Sequence, residues 1–129
     1  MRVLALDYGS ARCGVAVSDP TGTLATPLEA IAAPATRRGL QRIATLVAQH
    51  EAGRVVVGLP VSLSGGDSAQ TREARDFARR LEEILDNVPV ELYDERFTTR
   101  LARRSGGRAS EDSRAAAILL GDWLALRDA

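Results

Sequence analysis

The chain has 129 residues, a length typical of one domain, and its hydrophobic content of 45% is sufficient for a packed core, which excludes a mainly disordered chain. The 17 basic and 17 acidic residues cancel, so binding to nucleic acid or to an anionic membrane would require a local patch. All 17 basic residues are arginine, whose planar guanidinium suits phosphate. We therefore expect a single domain over residues 1–129.

The chain carries one cysteine and one histidine, which excludes an internal disulfide and a zinc cluster of Cys and His ligands. We expect Cys13 to be a small buried hydrophobe and His50 to lie at a helix end. Asp7 interrupts the apolar N-terminus too early for a signal peptide, and no apolar run reaches the length of a membrane span. Together with the lone thiol, these features predict a cytoplasmic protein that has no membrane partner.

The first part of the chain predicts three strands. Val3–Leu6 and Gly14–Ser18 are apolar runs joined by a turn at Gly9–Arg12, which is typical of a β-hairpin. Leu24–Ile31 is a third strand, and Pro27 favours an edge position for it. These three strands are expected to form a meander.

A helix, a buried strand and a second, longer helix follow. Thr36–Glu51 has apolar residues at the i, i+3, i+4 and i+7 positions of a helix, which Gly53 is expected to end. Val55–Leu59 is a strand buried on both faces. After a glycine-containing loop at 60–67, a long helix presents a continuous apolar stripe. The stripe consists of Ala74, Phe77, Ala78, Leu81, Ile84 and Leu85.

The remaining residues predict one more strand and two helices. Val90–Tyr93 is a short strand, and residues 98–104 form a short helix. After a loop at 105–108, a last helix buries Trp123 on its apolar side. The order β-β-β-α-β-α-β-α-α predicts an α/β protein of the ribonuclease H-like fold. Its five-stranded mixed sheet has the strand order 3-2-1-4-5 and helices on both faces.

Three acidic positions lie where this fold brings element ends together. Asp7 closes the first strand, Glu95 follows the strand Val90–Tyr93, and Asp112 lies in the first turn of the last helix. Alternatively, Asp112 only complements the helix dipole, and Asp94 and Glu95 are solvated loop charges. Three converging carboxylates would repel one another without a divalent cation, and oxygen ligands favour Mg²⁺ or Mn²⁺. Because the chain offers no strong side-chain nucleophile, metal-activated water is the simpler hydrolytic mechanism.

Arginines cluster directly after the second acidic position. They are Arg96, Arg100, Arg103, Arg104 and Arg108, and Arg12 is a further candidate. We interpret the cluster as a ridge that binds phosphate, with a solvated helix face as the alternative. Only 4% of the residues are aromatic, which favours recognition of the backbone and shape of structured RNA or branched DNA over base stacking.

The sequence resembles the YqgF-type family, also called RuvX, of pre-16S rRNA nucleases and Holliday junction resolvases in the ribonuclease H-like superfamily. The matching blocks are LDYGSARCGVAVSD, VVVGLPVSLSGGDSAQTREARDFARRL, VELYDERFTTRLA and EDSRAAAILLGDWL. They span nearly the whole chain, and DERFTT is the most specific of them. The chain departs from the family in having Cys13 in place of an aliphatic residue. It also has a short segment without lysine between Ala102 and Asp112.

The resemblance implies a nuclease that depends on Mg²⁺ or Mn²⁺ and removes extra sequence from the 5′ side of the 16S rRNA precursor. The implied site consists of the catalytic, metal-binding acids Asp7, Glu95 and Asp112, the turn residues Gly9, Ser10 and Arg12, and the supporting residues Arg96 and Thr98. Resolution of Holliday junctions is the alternative task, and symmetric cutting of a junction would require a two-fold dimer. The sequence leaves both a monomer and a homodimer open.

Two other classes of protein are further alternatives. An actin-like or sugar-kinase-like ATPase shares the opening hairpin, but it needs two such domains around its nucleotide, and 129 residues supply one. The loop SLSGGDS could bind an anion, but it lacks the GK[ST] ending of a nucleotide-binding loop, so no nucleotide cofactor is expected. The other alternative is a nucleic-acid-binding module without catalysis, although carboxylates beside phosphates are unfavourable without a metal.

Overall fold

A computed structural model describes residues 1–59, 69–94 and 111–128. The strands are β1 (Arg2–Asp7), β2 (Arg12–Ser18), β3 (Ala25–Ala32), β4 (Ala52–Leu59) and β5 (Val90–Asp94). The helices are α1 (Arg37–Gln49), α2 (Ala69–Ile84) and α3 (Glu111–Asp128). The predicted short helix at 98–104 and the predicted loops at 60–67 and 105–108 lie outside the described residues.

The five strands form one sheet in the predicted order β3-β2-β1-β4-β5. β2 is antiparallel to both β1 and β3, whereas β4 is parallel to both β1 and β5. The carboxyl ends of β1, β3, β4 and β5 therefore lie at one edge of the sheet, which we call the carboxyl edge. In open α/β sheets this is the edge at which ligands bind.

Both faces of the sheet are covered, as predicted. Alternation along β1 directs Leu4 and Leu6 into a core with α1 and α2, and it directs Val3 and Ala5 into a second core with α3. Cys13 is fully buried in the first core, as expected for a small hydrophobe. Within the described residues, no helix has both the length and the apolar character that crossing a bilayer requires.

Several predicted boundaries were wrong by a few residues. α1 ends at Gln49 with His50 as its C-cap, and Glu51 turns the chain with a φ of 52° in the left-handed region. Gly53 therefore does not end the helix, because β4 has already begun at Ala52.

Two further assignments also change. Arg12 belongs to β2 and not to the preceding turn, and β2 begins two residues before the predicted Gly14. Ile84 is 47% exposed because it borders an open groove of about 430 Å³ between the ends of α1 and α2, so it is not part of the buried stripe.

The turn between β2 and β3 is organised by one carboxylate. Asp19 accepts hydrogen bonds from the backbone N–H groups of Leu24 (2.9 Å) and Thr23 (2.8 Å) and from the hydroxyls of Thr21 and Thr23. The bond from Leu24, followed by that from the Thr21 hydroxyl, holds the pKa of Asp19 well below its ordinary value of 3.8. The folded protein therefore stabilises the charged form of this side chain.

Asp19→Asn is expected to lower the stability of the protein at neutral pH, with a gap to the wild type that closes on acidification. A carboxyl whose pKa is depressed by folding stabilises the protein above its unfolded pKa, and this contribution is lost as the pH falls below about 4. Thermal unfolding of both proteins at a series of pH values measures the gap. A gap that stays constant down to about pH 3 would contradict this role for Asp19.

Candidate active site at the carboxyl edge of the sheet

Asp7 is the last residue of β1, and its half-buried carboxylate lies at the carboxyl edge. Alternation places it on the same face as Val3 and Ala5, the face that α3 covers. The following residue, Tyr8, belongs to the opposite core and donates from its hydroxyl to Glu73 of α2 at 3.3 Å. The end of β1 therefore directs a carboxylate to one face and an aromatic ring to the other.

The strand register surrounds Asp7 with glycines. Asp7 pairs with Gly14 of β2 on one side and with Gly58 of β4 on the other, and Gly58 in turn pairs with Tyr93 of β5. Paired residues share a face, so the row Gly14, Asp7, Gly58, Tyr93 lies on the α3 side. Both glycines are buried and carry no side chain, so no side chain of β2 or β4 lies directly beside the Asp7 carboxylate in this row. Asp7 is therefore the only charged side chain of the row Gly14, Asp7, Gly58, Tyr93.

The start of α3 is attached close to Asp7. The hydroxyl of Ser113, which is fully buried, accepts a hydrogen bond from the backbone N–H of Val15 at 3.2 Å. Val15 pairs with Leu6, the residue before Asp7, and the β2–β3 register shifts at this point. The backbone of Asp112, adjacent to Ser113 in α3, is thereby brought to the carboxyl edge. The side chain of Asp112 lies outside the described residues.

The turn residues predicted to accompany the site lie at the same edge. A Cβ on Gly9 would be 2.5 Å from the carbonyl oxygen of Arg12, so this turn requires glycine. Arg12 is exposed at the start of β2, and alternation with the buried Cys13 places it on the Asp7 side. Ser10 is exposed and borders a small cavity of about 70 Å³.

The other predicted site residues are Glu95, Arg96, Thr98, Arg100, Arg103, Arg104 and Arg108, and all of them lie outside the described residues. Asp94, which precedes Glu95, is the last residue of β5. Because Tyr93 lies on the α3 side, Asp94 faces the other way. Within residues 1–59, 69–94 and 111–128, no group of three His, Cys, Asp or Glu side chains is arranged to hold a metal ion.

Tyr93 and the paired glycines are features of the site that the sequence analysis did not identify. The Tyr93 hydroxyl is buried without a hydrogen-bond partner among the described residues, beside a cavity of about 370 Å³ that Asp122 also lines. Burial, followed by the negative charges of Asp122 and Asp94, raises the pKa of Tyr93, so its phenol remains a neutral donor. A glycine inside an apolar strand often marks a place where a ligand or another backbone segment approaches the strand closely. The positions of Gly14 and Gly58 inside β2 and β4 could have identified them in this way.

The chain matches the family model RuvX, described as "Holliday junction resolvase", over residues 1–126. It is 43% identical over 136 residues to a Mycobacteroides abscessus protein named "Putative pre-16S rRNA nuclease", covering 98% of this chain and 82% of that protein. A Corynebacterium jeikeium protein of the same name is 41% identical over 135 residues, covering 98% and 87% respectively. The matching family model and the two relatives therefore confirm the family that the sequence motifs indicated.

Solved structures resemble this chain in fold. Thermus thermophilus RuvC in complex with a Holliday junction substrate superposes with a TM-score of 0.64 at 18% identity, covering 99% of this chain and 96% of that chain. The fowlpox virus Holliday junction resolvase gives a TM-score of 0.59 at 12% identity, covering 98% and 99%. These matches confirm the predicted ribonuclease H-like fold.

Proposed function

This chain belongs to the RuvX family, and we propose that it is a metal-dependent nuclease that hydrolyses phosphodiester bonds at the carboxyl edge of its sheet. The observation that carries the proposal is the row Gly14, Asp7, Gly58, Tyr93. A carboxylate that ends an apolar strand at a ligand-binding edge, flanked by two glycines, suits a reaction centre better than a structural role.

We propose that Asp7, Glu95 and Asp112 together hold Mg²⁺ or Mn²⁺. Carboxylate oxygens are the ligands these ions prefer, and the start of α3 beside β2 favours the participation of Asp112. Asp94 faces away from Asp7, which favours Glu95 as the acid from this part of the chain. When bound, such an ion lowers the pKa of an attacking water and neutralises developing charge on the phosphodiester.

We assign the positioning of the phosphate backbone to Arg12, Arg96, Arg100, Arg103 and Arg104, with Gly9, Ser10 and Thr98 as supporting residues. The position of Arg12 on the Asp7 side of the sheet supports this assignment. Trp123 is 4% exposed and packs in the core between α3 and the sheet, so it offers no surface on which a base could stack. We therefore favour recognition of the nucleic acid through its backbone and shape over recognition of individual bases.

The substrate we propose is the 5′ region of the 16S rRNA precursor, handled in the cytoplasm. The names of the relatives support this choice. Cleavage of four-way DNA junctions is the second candidate, which the description of the matching family supports. A junction resolvase would act as a homodimer with paired sites, whereas end processing of RNA is compatible with a monomer.

Cleavage of labelled substrates tests the proposal. The panel contains a structured RNA with a precursor-type 5′ extension, a single-stranded RNA, a DNA duplex and a four-way DNA junction, each with Mg²⁺, with Mn²⁺ or with a chelator. We expect cleavage of the structured RNA with either metal and none with the chelator. Cleavage of the junction alone would replace the first candidate by the second. Failure to cleave any substrate with either metal would refute the nuclease assignment.

A further inference from the structure

The start of α1 lies at the carboxyl edge, on the opposite side of the hairpin from β4. Arg12 of β2 pairs with Ala32, the last residue of β3, and the backbone N–H of Ala33 donates to the carbonyl of Ala11 at 2.9 Å. α1 begins a few residues later, at Arg37. The first turn of α1 is thereby fixed to the same hairpin turn that follows Asp7.

Close packing keeps this helix start in place. A Cβ on Gly39 would lie 2.4 Å from the carbonyl oxygen of Ala33, so only glycine permits the observed approach. Thr36 caps the helix, because its hydroxyl accepts from the N–H of Gly39 (3.1 Å) and donates to the carbonyl of Ala33 (2.7 Å). The backbone of the first turn of α1 is therefore held in place against the segment that follows β3.

The charges on α1 are not balanced. Arg37, Arg38 and Arg42 are all exposed, and α1 contains no acidic residue. None of the three makes an ion pair within the part of the chain that the structure describes. Two arginines in the first turn also oppose the helix dipole, which costs stability unless an anion is present.

The neighbouring helix α2 provides a contrast. It carries the four arginines Arg72, Arg75, Arg79 and Arg80 and the four acids Glu73, Asp76, Glu82 and Glu83. Arg79 pairs with Asp76, one turn away on the same helix. The formal charges of α2 thus balance within the helix, four arginines against four acids, whereas those of α1 do not.

We propose that Arg37, Arg38 and Arg42, which we call the α1 arginine patch, bind the phosphate backbone of a duplex arm of the substrate. This inference rests on the proposed function, because it places the reacting strand at Asp7. β3 is two strands from β1, about 10 Å at the usual strand spacing. Because α1 packs on the face of the sheet opposite Asp7, the patch is farther from Asp7 than this in-sheet spacing, and a contact there would lie more than about three base pairs from the reacting phosphate, at 3.4 Å per base pair. A guanidinium group can donate two parallel hydrogen bonds to two oxygens of one phosphate, which suits arginine to this contact.

Binding measured against salt concentration tests the patch. The variant is R37Q/R38Q/R42Q, and the matched control R72Q/R75Q/R79Q removes the same charge from α2. Fluorescence anisotropy follows binding of a labelled RNA duplex and of a DNA duplex of the same sequence. We expect the patch variant to reduce the slope of log K against log[salt] by about 2 to 3, and the control to reduce it by less than 1. The RNA and DNA arms show which backbone is preferred.

The variant R37K/R38K/R42K keeps the charge and is expected to keep the salt slope. A wild-type slope in the glutamine variant, or an equal loss in the α2 control, would overturn the proposal, as would a lysine variant that loses the slope. Wild-type protein that binds neither duplex would overturn it too. Wild-type protein that binds with a steep, patch-dependent slope but cleaves nothing would refute the nuclease assignment alone. Thermal unfolding identifies any variant that fails to fold.

Discussion

Asp7→Asn is expected to reduce cleavage by roughly 10³-fold or more, because losing the charge of a proposed metal ligand removes several kcal/mol of transition-state stabilisation. The substitution keeps the shape of the side chain, and Asp7 lies between two glycines with no ion pair to break within the described residues. Folding is therefore expected to be unaffected. Initial cleavage rates with Mg²⁺ and with Mn²⁺, together with thermal unfolding, measure the two effects separately.

Asp94→Asn is the matched control for this experiment. Asp94 also ends a parallel strand at the carboxyl edge, but alternation directs it away from the α3 side. We expect the control to retain cleavage within a few-fold of the wild type. Equal rates for Asp7→Asn and wild type would remove Asp7 from the reaction. Equal losses in both variants would indicate that general negative charge at this edge, and not a specific metal ligand, supports cleavage.

The architecture was predictable because hydrophobic periodicity is a local property. The apolar runs of β1, β2 and β4 and the stripe of α2 gave the element types, and their order gave the sheet topology. Boundaries were less certain, since several residues can end a helix. Gly53 is the usual type of helix terminator, but Glu51 adopts the left-handed conformation and Gly53 continues into β4.

The candidate site was predictable only in part, because its shape depends on register. Asp7 was identifiable as a carboxylate ending an apolar strand, which gains no stability from a charge. That Gly14 and Gly58 flank it follows from the pairing of β1 with β2 and β4, which no local pattern specifies. Ser113 was likewise hidden, because its partner Val15 lies in a distant part of the chain.

The proposed α1 arginine patch likewise depends on how the chain folds. Arginine is densest just after Glu95, and the phosphate-binding ridge was predicted there for that reason. The arginines of α1 are fewer, and the β2–β3 hairpin is what brings them to the edge that Asp7 occupies. The arginine ridge after Glu95 stays a prediction, and the α1 arginine patch is a second proposed phosphate-binding surface that only the folded arrangement indicates.

Trp123→Ala is expected to lower the free energy of unfolding by about 3 to 5 kcal/mol, the usual cost of deleting a large buried aromatic side chain. Trp123 is 4% exposed in the core between α3 and the sheet, and Arg127 lies 4.9 Å from the centre of its ring. Its indole N–H donates to Glu91 of β5 at 2.7 Å, and Glu91 also pairs with Arg54 of β4 at 3.1 Å. Equilibrium unfolding in denaturant measures the loss.

Trp123→Phe separates packing from the hydrogen bond. The phenylalanine keeps most of the apolar ring but removes the indole N–H, so Glu91 is left paired with Arg54 alone. We expect the free energy of unfolding to fall by about 1 kcal/mol. This is a small loss for a hydrogen bond to a charged group, because the Glu91 side chain is 38% exposed. Cleavage should stay near the wild-type rate, since Ser113 holds the start of α3 to β2 independently of Trp123. A phenylalanine variant that remains folded but loses cleavage as severely as Asp7→Asn would show that the geometry of the site depends on the far end of α3. The row of residues around Asp7 would then be insufficient to define the reaction centre.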